Sequence, residues 1–204
     1  MTGDPLLDAI GPYTVVDRLR LQSLQGLLAD RLTEGIAGDV VECGTASGGS
    51  AAVLAAGLVG TTRHLWCYDT FTGLPAPTAI DGPFAPPYTG ANATTIDRVC
   101  EALALSGLPT TQIHLRRGLF AESFPAGGPS MISLLHIDAD WYESVRICLQ
   151  QWYDRVSPFG VIVLDDYGFW RGCRLALYDF CAQRRIAPAL VRVGEEQAYW
   201  IKTE

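Results

Sequence analysis

The chain has 204 residues, the span of one domain. Apolar residues make up 49% and charged residues 18%, enough to bury a full core and the reverse of a disordered composition. Fifteen Lys and Arg against 22 Asp and Glu leave a net charge of −7, which argues against nucleic acid or an anionic membrane surface as partner, since both need a basic face. No apolar run reaches the ~18 residues of a membrane span. The start, Met1 to Pro5, lacks the basic and apolar regions of a signal peptide. Six cysteines form no CxxC pair, and several fall inside apolar strand or helix patterns where a free buried thiol is expected; the reading is a reducing cytoplasm.

Residues 1–35 read as an N-terminal helical cap segment, with Leu21, Leu24, Leu27 and Leu28 at helical spacing. Asp39 to Gly44 is a short buried strand, and Gly48-Gly49-Ser50 opens a helix directly after a glycine-rich turn. His64–Asp69 is a second strand. A Pro-rich stretch, 71–95, breaks the alternation; it holds five of the twelve prolines and, with Phe71, Phe84 and Tyr88 as anchors, reads as a loop covering a substrate. A helix near Ile96–Leu105 and a strand near Ile113–Arg117 follow. The second half continues with a strand at Met131–Asp138, a helix at Tyr142–Val156, a strand at Gly160–Asp165 and a helix at Cys173–Arg185. Two strands joined by a turn, 189–193 and 198–202, close the chain. This predicts one α/β domain over 1–204: a mostly parallel seven-stranded sheet, helices on both faces, and a C-terminal antiparallel hairpin at or near an edge.

Ligands of such sheets bind outside the carboxyl ends of the strands, and here four strands end in acids: Glu42, Asp69, Asp138 and Asp165-Asp166. The turn from Gly44 to Ser50 has small residues that admit a ligand to the backbone and to a helix N-terminus, but it is neither GxGxxG nor a Walker loop. Asp69, 20 residues beyond Gly49, is placed to accept two ribose hydroxyls, so the first half reads as a nucleoside site. Asp138 and Asp165 are one strand–helix–strand unit apart. With Asp166 they bring three carboxylates to one sheet edge, where a hard divalent cation would offset their repulsion.

Five blocks carry a resemblance: Val41-Glu42-Cys43-Gly44 with Gly48-Gly49-Ser50; Tyr68-Asp69-Thr70-Phe71-Thr72-Gly73-Leu74-Pro75; His136-Ile137-Asp138-Ala139-Asp140-Trp141-Tyr142-Glu143-Ser144; Ser157-Pro158-Phe159-Gly160; and Asp165-Asp166-Tyr167-Gly168 with Gly172-Cys173-Arg174. In order and spacing, from about Tyr13 to Phe180, the chain resembles the macrocin O-methyltransferase family, which includes enzymes of the novobiocic acid type. The resemblance implies a Rossmann-like class I methyltransferase fold, S-adenosylmethionine (SAM) as methyl donor, Mg²⁺, and a hydroxyl acceptor on a sugar or glycoside, with a phenol second. It implies that Glu42, Gly44 and Ser50 line the SAM site, with Asp69 on the ribose, and that Asp138, Asp165 and Asp166 hold the metal. Asp138 is the first choice of general base and His136 the second. The turn departs from the family at Thr45-Ala46-Ser47, and only about a dozen residues precede Tyr13 where the family usually has a longer segment; a homodimer supplying a second pocket wall is expected. Competing readings are a nucleotide-dependent oxidoreductase on the same sheet, disfavoured by the missing GxGxxG, and a non-catalytic SAM-binding module, disfavoured by the acid trio.

Overall fold

The computed structural model describes residues 4–203. After a short helix α1 (Pro5–Ala9), α2 (Arg18–Thr33) starts at Asp17, whose carboxylate accepts the Arg20 N–H at 3.0 Å and so satisfies one of the unpaired first-turn donors. β1 (Asp39–Cys43), α3 (Gly49–Gly57), β2 (Leu65–Asp69), α4 (Ile96–Ala104) and β3 (Ile113–Arg117) make one half of the sheet. A short α5 (Phe120–Ser123), β4 (Ile132–Ile137), α6 (Tyr142–Trp152), β5 (Val156–Leu164) and α7 (Arg171–Arg184) extend the other. β6 (Val191–Val193) and β7 (Gln197–Ile201) form the terminal hairpin. The strand order is β3-β2-β1-β4-β5-β7-β6, with β7 antiparallel to both neighbours and every other pairing parallel. The fold is the predicted one, with one refinement: the last strand in sequence is inserted beside β5 and the short β6 takes the edge.

The two faces have separate cores. α2, α3 and α4 cover one with Leu21, Leu24, Leu28, Val53, Leu54 and Leu103. α6 and α7 cover the other with Val145, Leu149, Trp152, Leu177 and Phe180. β4 is buried along its whole length, as a strand sandwiched between helix layers must be.

One boundary differs from the sequence reading. The helix expected to reach Val156 stops at Trp152, a 3₁₀ turn spans Tyr153–Arg155, and β5 begins at Val156. Ser157-Pro158-Phe159 has the composition of a turn, yet it lies inside the strand as an irregularity. Ile132 pairs Val156 while Leu134 pairs Val161, so β5 uses five positions where β4 uses two, and Phe159 adopts φ +65° with its ring half exposed.

The Pro-rich stretch carries two 3₁₀ turns, Ala79–Asp81 and Pro86–Tyr88, and is tied down at several points. Trp141 Nε1 donates to the Pro75 carbonyl at 2.8 Å, the Tyr142 N–H to Asp81 Oδ1 at 2.7 Å, and Tyr88 packs edge-on against Trp170. Phe71 is buried and Tyr88 is packed as expected of anchors. Phe84 is not an anchor: its ring is 81% exposed, and the neighbouring Ala85 is the buried residue.

At the end of β1 the chain passes close beneath the end of β4. Gly44 has φ +92°, and a Cβ there would lie 1.6 Å from the Asp138 carbonyl oxygen. No rotamer relieves a clash with backbone, so Gly44→Ala is expected to cost about 3 kcal/mol or more of stability. Urea unfolding of the variant checks this; a midpoint equal to wild type would show that the two strand ends can separate freely.

Candidate active site

A cavity of about 760 Å³ opens at the carboxyl ends of the parallel strands, at the upper end of the ~300–1,000 Å³ typical of small-molecule sites. Its walls are the glycine-rich turn, the Pro-rich stretch, the residues after β4 and β5, and the segment from Pro12 to Val16. That segment approaches so closely because residue 49 is glycine: a Cβ there would meet Thr14 Cβ at 2.5 Å and the Tyr13 carbonyl oxygen at 2.8 Å. Gly48, at φ +91°, starts α3 without a side-chain cap, leaving first-turn N–H groups available to a ligand.

Of the residues expected in the site, Gly44, Ser50, Asp69, Asp138, Asp165 and Asp166 line the cavity, and Glu42 and His136 do not. Asp69 organises the cofactor end. Its Oδ2 accepts the Thr45 and Ala46 N–H groups, each at 2.8 Å, and its Oδ1 accepts the Phe71 N–H at 2.7 Å. One carboxylate therefore fixes the glycine-rich turn to the start of the Pro-rich stretch, and still faces the cavity.

The acidic end differs from expectation in its grouping. Among the described residues, the carboxylates whose oxygens converge within 4.8 Å of one another are those of Asp138, Asp140 and Asp166. Asp140 was not singled out in the sequence, although it follows Asp138 by two. It sits at φ +54°, and its N–H donates to Asp166 Oδ2 at 3.0 Å. Asp165 stands outside that trio because its oxygens are drawn the other way. Oδ2 meets Arg20 Nη1 at 2.5 Å, and Oδ1 accepts from Gln197 Nε2 at 2.9 Å. Oδ2 keeps a second lone pair, while the other side of Oδ1 faces His136 Nε2.

His136 is fully buried, removed from the cavity, and lies between two acids. Its Nδ1 is 3.1 Å from Glu42 Oε1, and Nε2 is 3.7 Å from Asp165 Oδ1, an ion-pair distance. Burial alone would lower its pKa, but Asp165 and Glu42 outweigh burial and raise it to about 10, so the ring is cationic at neutral pH. A charged, enclosed imidazolium cannot accept a proton from an acceptor in the cavity. The second-choice base and the expected SAM-lining Glu42 are here partners in a buried charge pair.

The converging acids shift the same way, upward, with the opposite effect on charge: the neutral form is favoured. Burial, then the neighbouring carboxylates, pushes Asp138 and Asp166 well above the usual carboxylate range. Asp140 is raised to about 7 by burial and by the charges of Asp165 and Asp69, against a hydrogen bond from Trp170 that lowers it. An all-oxygen donor set whose members resist ionisation is the chemistry a hard divalent cation satisfies, so these residues fit such an ion.

A mostly parallel sheet of this order, with its cavity between a glycine-rich turn and an acidic strand end, defines a Rossmann-like class I methyltransferase. Residues 9–202 match the macrocin-O-methyltransferase (TylF) family, and the chain belongs to that family. It is an O-methyltransferase. It is 28% identical over 199 residues to the 8-demethyl-8-(2,3-dimethoxy-alpha-L-rhamnosyl)-tetracenomycin-C 4'-O-methyltransferase of Streptomyces olivaceus, covering 94% of this chain and 76% of that protein. It is also 28% identical to the mycinamicin III 3''-O-methyltransferase of Micromonospora griseorubida, covering 92% and 78%. The solved structure of the O-methyltransferase NovP superposes with a TM-score of 0.88 at 26% identity, covering 94% of this chain and 83% of NovP. Among the described residues no helix is long and apolar enough to cross a membrane.

The raised carboxylates have a thermodynamic signature. A group whose folded pKa exceeds its unfolded value stabilises the fold while protonated and loses that contribution as pH rises through the folded pKa. For Asp138, Asp140 and Asp166 this loss falls above about pH 4, reaching past pH 7 for Asp140. A cation held by Asp138 and Asp166 would replace their protons. The gain in Tm on adding Mg²⁺ is therefore expected to be larger at pH 8 than at pH 5, measured by differential scanning fluorimetry. Equal gains at both pH values would place the cation away from these acids.

Proposed function

We propose that the chain methylates a hydroxyl of a sugar or glycoside in a divalent-cation-dependent reaction, with a phenol as the second class of acceptor. The observation that carries this reading is the convergence of Asp138, Asp140 and Asp166 on the cavity beside the turn held by Asp69. The named substrates of both curated relatives, a rhamnosyl-tetracenomycin and a mycinamicin, support the acceptor class.

In this reading Asp138 and Asp166 would hold Mg²⁺, and Asp165 would complete the set through the lone pair of Oδ2 that Arg20 leaves free. The bound ion supplies Lewis acidity that lowers the pKa of an acceptor hydroxyl, and SAM supplies the activated methyl group. The remaining work belongs to the chain. The glycine-rich turn and Asp69 hold the nucleoside end of SAM, and the Pro-rich stretch with Trp141 and Trp170 shields the reacting atoms from water. Alignment of the hydroxyl oxygen with the methyl carbon is itself a large part of the acceleration.

The proton goes to Asp140 in this reading, in preference to Asp138. Asp140 lines the cavity at the turn after β4, with its N–H on Asp166 Oδ2, and its pKa, raised to about 7 where no cation is bound, suits a base at neutral pH. Asp140→Asn is expected to lower kcat by 10²–10⁴-fold, the range of general-base loss, while the Mg²⁺-induced rise in Tm survives. Asp138→Asn and Asp166→Asn should lose both. Loss of the Mg²⁺ effect in Asp140→Asn would make Asp140 a ligand and return the base to Asp138. Excess EDTA should abolish turnover and Mg²⁺ restore it; full activity in EDTA would remove the cation from the mechanism.

We also propose a cytoplasmic homodimer, in which the second copy adds to the wall near the mouth of the cavity. Light scattering at micromolar concentration should give twice the chain mass, and a monomer contradicts it.

A further inference from the structure

The two helices that follow the acid-bearing strands β4 and β5 begin without a side-chain cap of their own. α6 starts after Trp141 and α7 after Trp170, and an indole cannot accept a hydrogen bond from a first-turn N–H. The same two tryptophans stand edge to face with ring centres 4.8 Å apart, and both line the cavity. Trp170 also supplies the hydrogen bond that reaches Asp140. This part of the cavity wall is therefore built on two helix starts whose unpaired N–H groups need a partner from elsewhere.

The partner comes from the Pro-rich stretch. Asp81 is only 4% exposed, and its Oδ1 accepts the N–H of Tyr142, the first residue of α6, at 2.7 Å across 61 positions of sequence. Its Oδ2 accepts the Thr78 N–H at 2.7 Å and the Thr78 hydroxyl at 3.0 Å, which closes the 3₁₀ turn that carries it. The carboxylate also lies against the first turn of α7. A Cβ on Gly172, the second residue of that helix, would sit 2.1 Å from Asp81 Oδ1 and 2.7 Å from the Tyr142 nitrogen. Glycine at 172 is what lets one anion reach the positive ends of both helices. With both oxygens engaged inside the protein, Asp81 borders the cavity but acts through the groups it holds.

We infer that Asp81 is a positioning residue for methyl transfer. From the Pro-rich stretch it caps α6 and braces the start of α7, and so fixes Trp141, Trp170 and Asp140 relative to one another. Trp141 returns the link by donating from Nε1 to the Pro75 carbonyl at 2.8 Å. The covering stretch and the acidic end therefore hold or loosen together: displacing residues 75–81 uncaps α6 and frees both indoles. The inference rests on the reading of the acidic end as the reaction centre, and it holds whichever acid takes the proton.

The test compares SAH-loaded wild type with Asp81→Ala, Asp81→Asn and Gly172→Ala, the last driving a methyl group into the same contact from the α7 side. In Asp81→Ala and Gly172→Ala, amide hydrogens should exchange at least tenfold faster at residues 76–82 and also at 140–144 and 170–174. Residues 44–50 should be unchanged, and SAH affinity should stay within twofold. Near-UV circular dichroism should lose part of the tryptophan signal, the same part that Trp170→Phe removes. Asp81→Asn keeps an oxygen for the Tyr142 N–H, so it should restore 142–144 while 76–82 stays fast. With 4-nitrophenyl α-L-rhamnoside or catechol as acceptor, whichever the wild type methylates faster, Asp81→Ala should lower kcat at least tenfold and leave the KM for SAM within twofold. Faster exchange confined to 76–82, or an unchanged kcat, makes Asp81 a fastener of its own loop and overturns the inference, leaving the cation reading intact. Faster exchange throughout, with 44–50 and SAH affinity affected alike, makes it a residue of general stability and overturns the inference too. Should Asp81→Ala not fold, Gly172→Ala and Asp81→Asn decide by the same measurements. The reaction-centre reading fails separately, if wild type shows no Mg²⁺-induced rise in Tm, and takes the inference with it.

Discussion

Arg20 Nη1 reaches Asp165 Oδ2 at 2.5 Å, and behind Asp165 lie His136 and then Glu42, all within the protein interior. Two positive and two negative groups alternate along this line. It runs from α2 across the ends of β5, β4 and β1, where Glu42 and His136 are register partners on adjacent strands. Burying four charges is expensive, and the chain stands because each member faces an opposite charge; removing one would strand its neighbour at a cost of about 3–5 kcal/mol. The strand ends it fixes are those that bear the site. Gly44 follows Glu42 by two, Asp138 follows His136 by two, and Asp166 follows Asp165. The glycine-rich turn and the acidic cluster are therefore held relative to each other by a network that neither of them contains.

That network also divides the acids by environment. Asp165, beside Arg20 and His136, is held below the ordinary carboxylate value, whereas Asp138 and Asp166, facing other acids, are pushed up. Neighbouring residues on one loop thus acquire opposite electrostatic roles, one as an anchor that stays ionised and one as a group that would release its proton to solvent when a cation binds.

Much of this was legible in the sequence. The β–α alternation, the seven strands and the acids at strand ends follow from local periodicity, and Gly44, Asp69, Asp138 and Asp166 lie where strand-end reasoning puts them. The roles of Glu42 and His136 were not legible, because whether a strand residue points to the cavity or under a helix depends on the covering layer. Arg20 carried a faint signal: it shares a helical face with Leu24, Leu28 and Arg31, all buried, and an arginine on an apolar stripe needs a buried partner. Nothing local says that the partner is 145 positions away. Asp140 was hidden by its backbone, since the left-handed turn at φ +54° redirects a side chain that a continuing strand would have aimed elsewhere. The early start of β5 was masked by Ser157-Pro158-Phe159, a turn-like triplet absorbed as a bulge.

The central claim is that the strand-end acids divide into ligands and a base, with Asp165 held in place by Arg20. Crystals grown with SAH and Mn²⁺, measured at an energy where manganese scatters anomalously, test it directly. The account predicts one strong peak bonded to oxygens of Asp138, Asp165 and Asp166, with the Arg20–Asp165 pair intact and Asp140 turned to the acceptor space. A peak ligated by Asp140 in place of Asp165, or no peak at these strand ends, would contradict it.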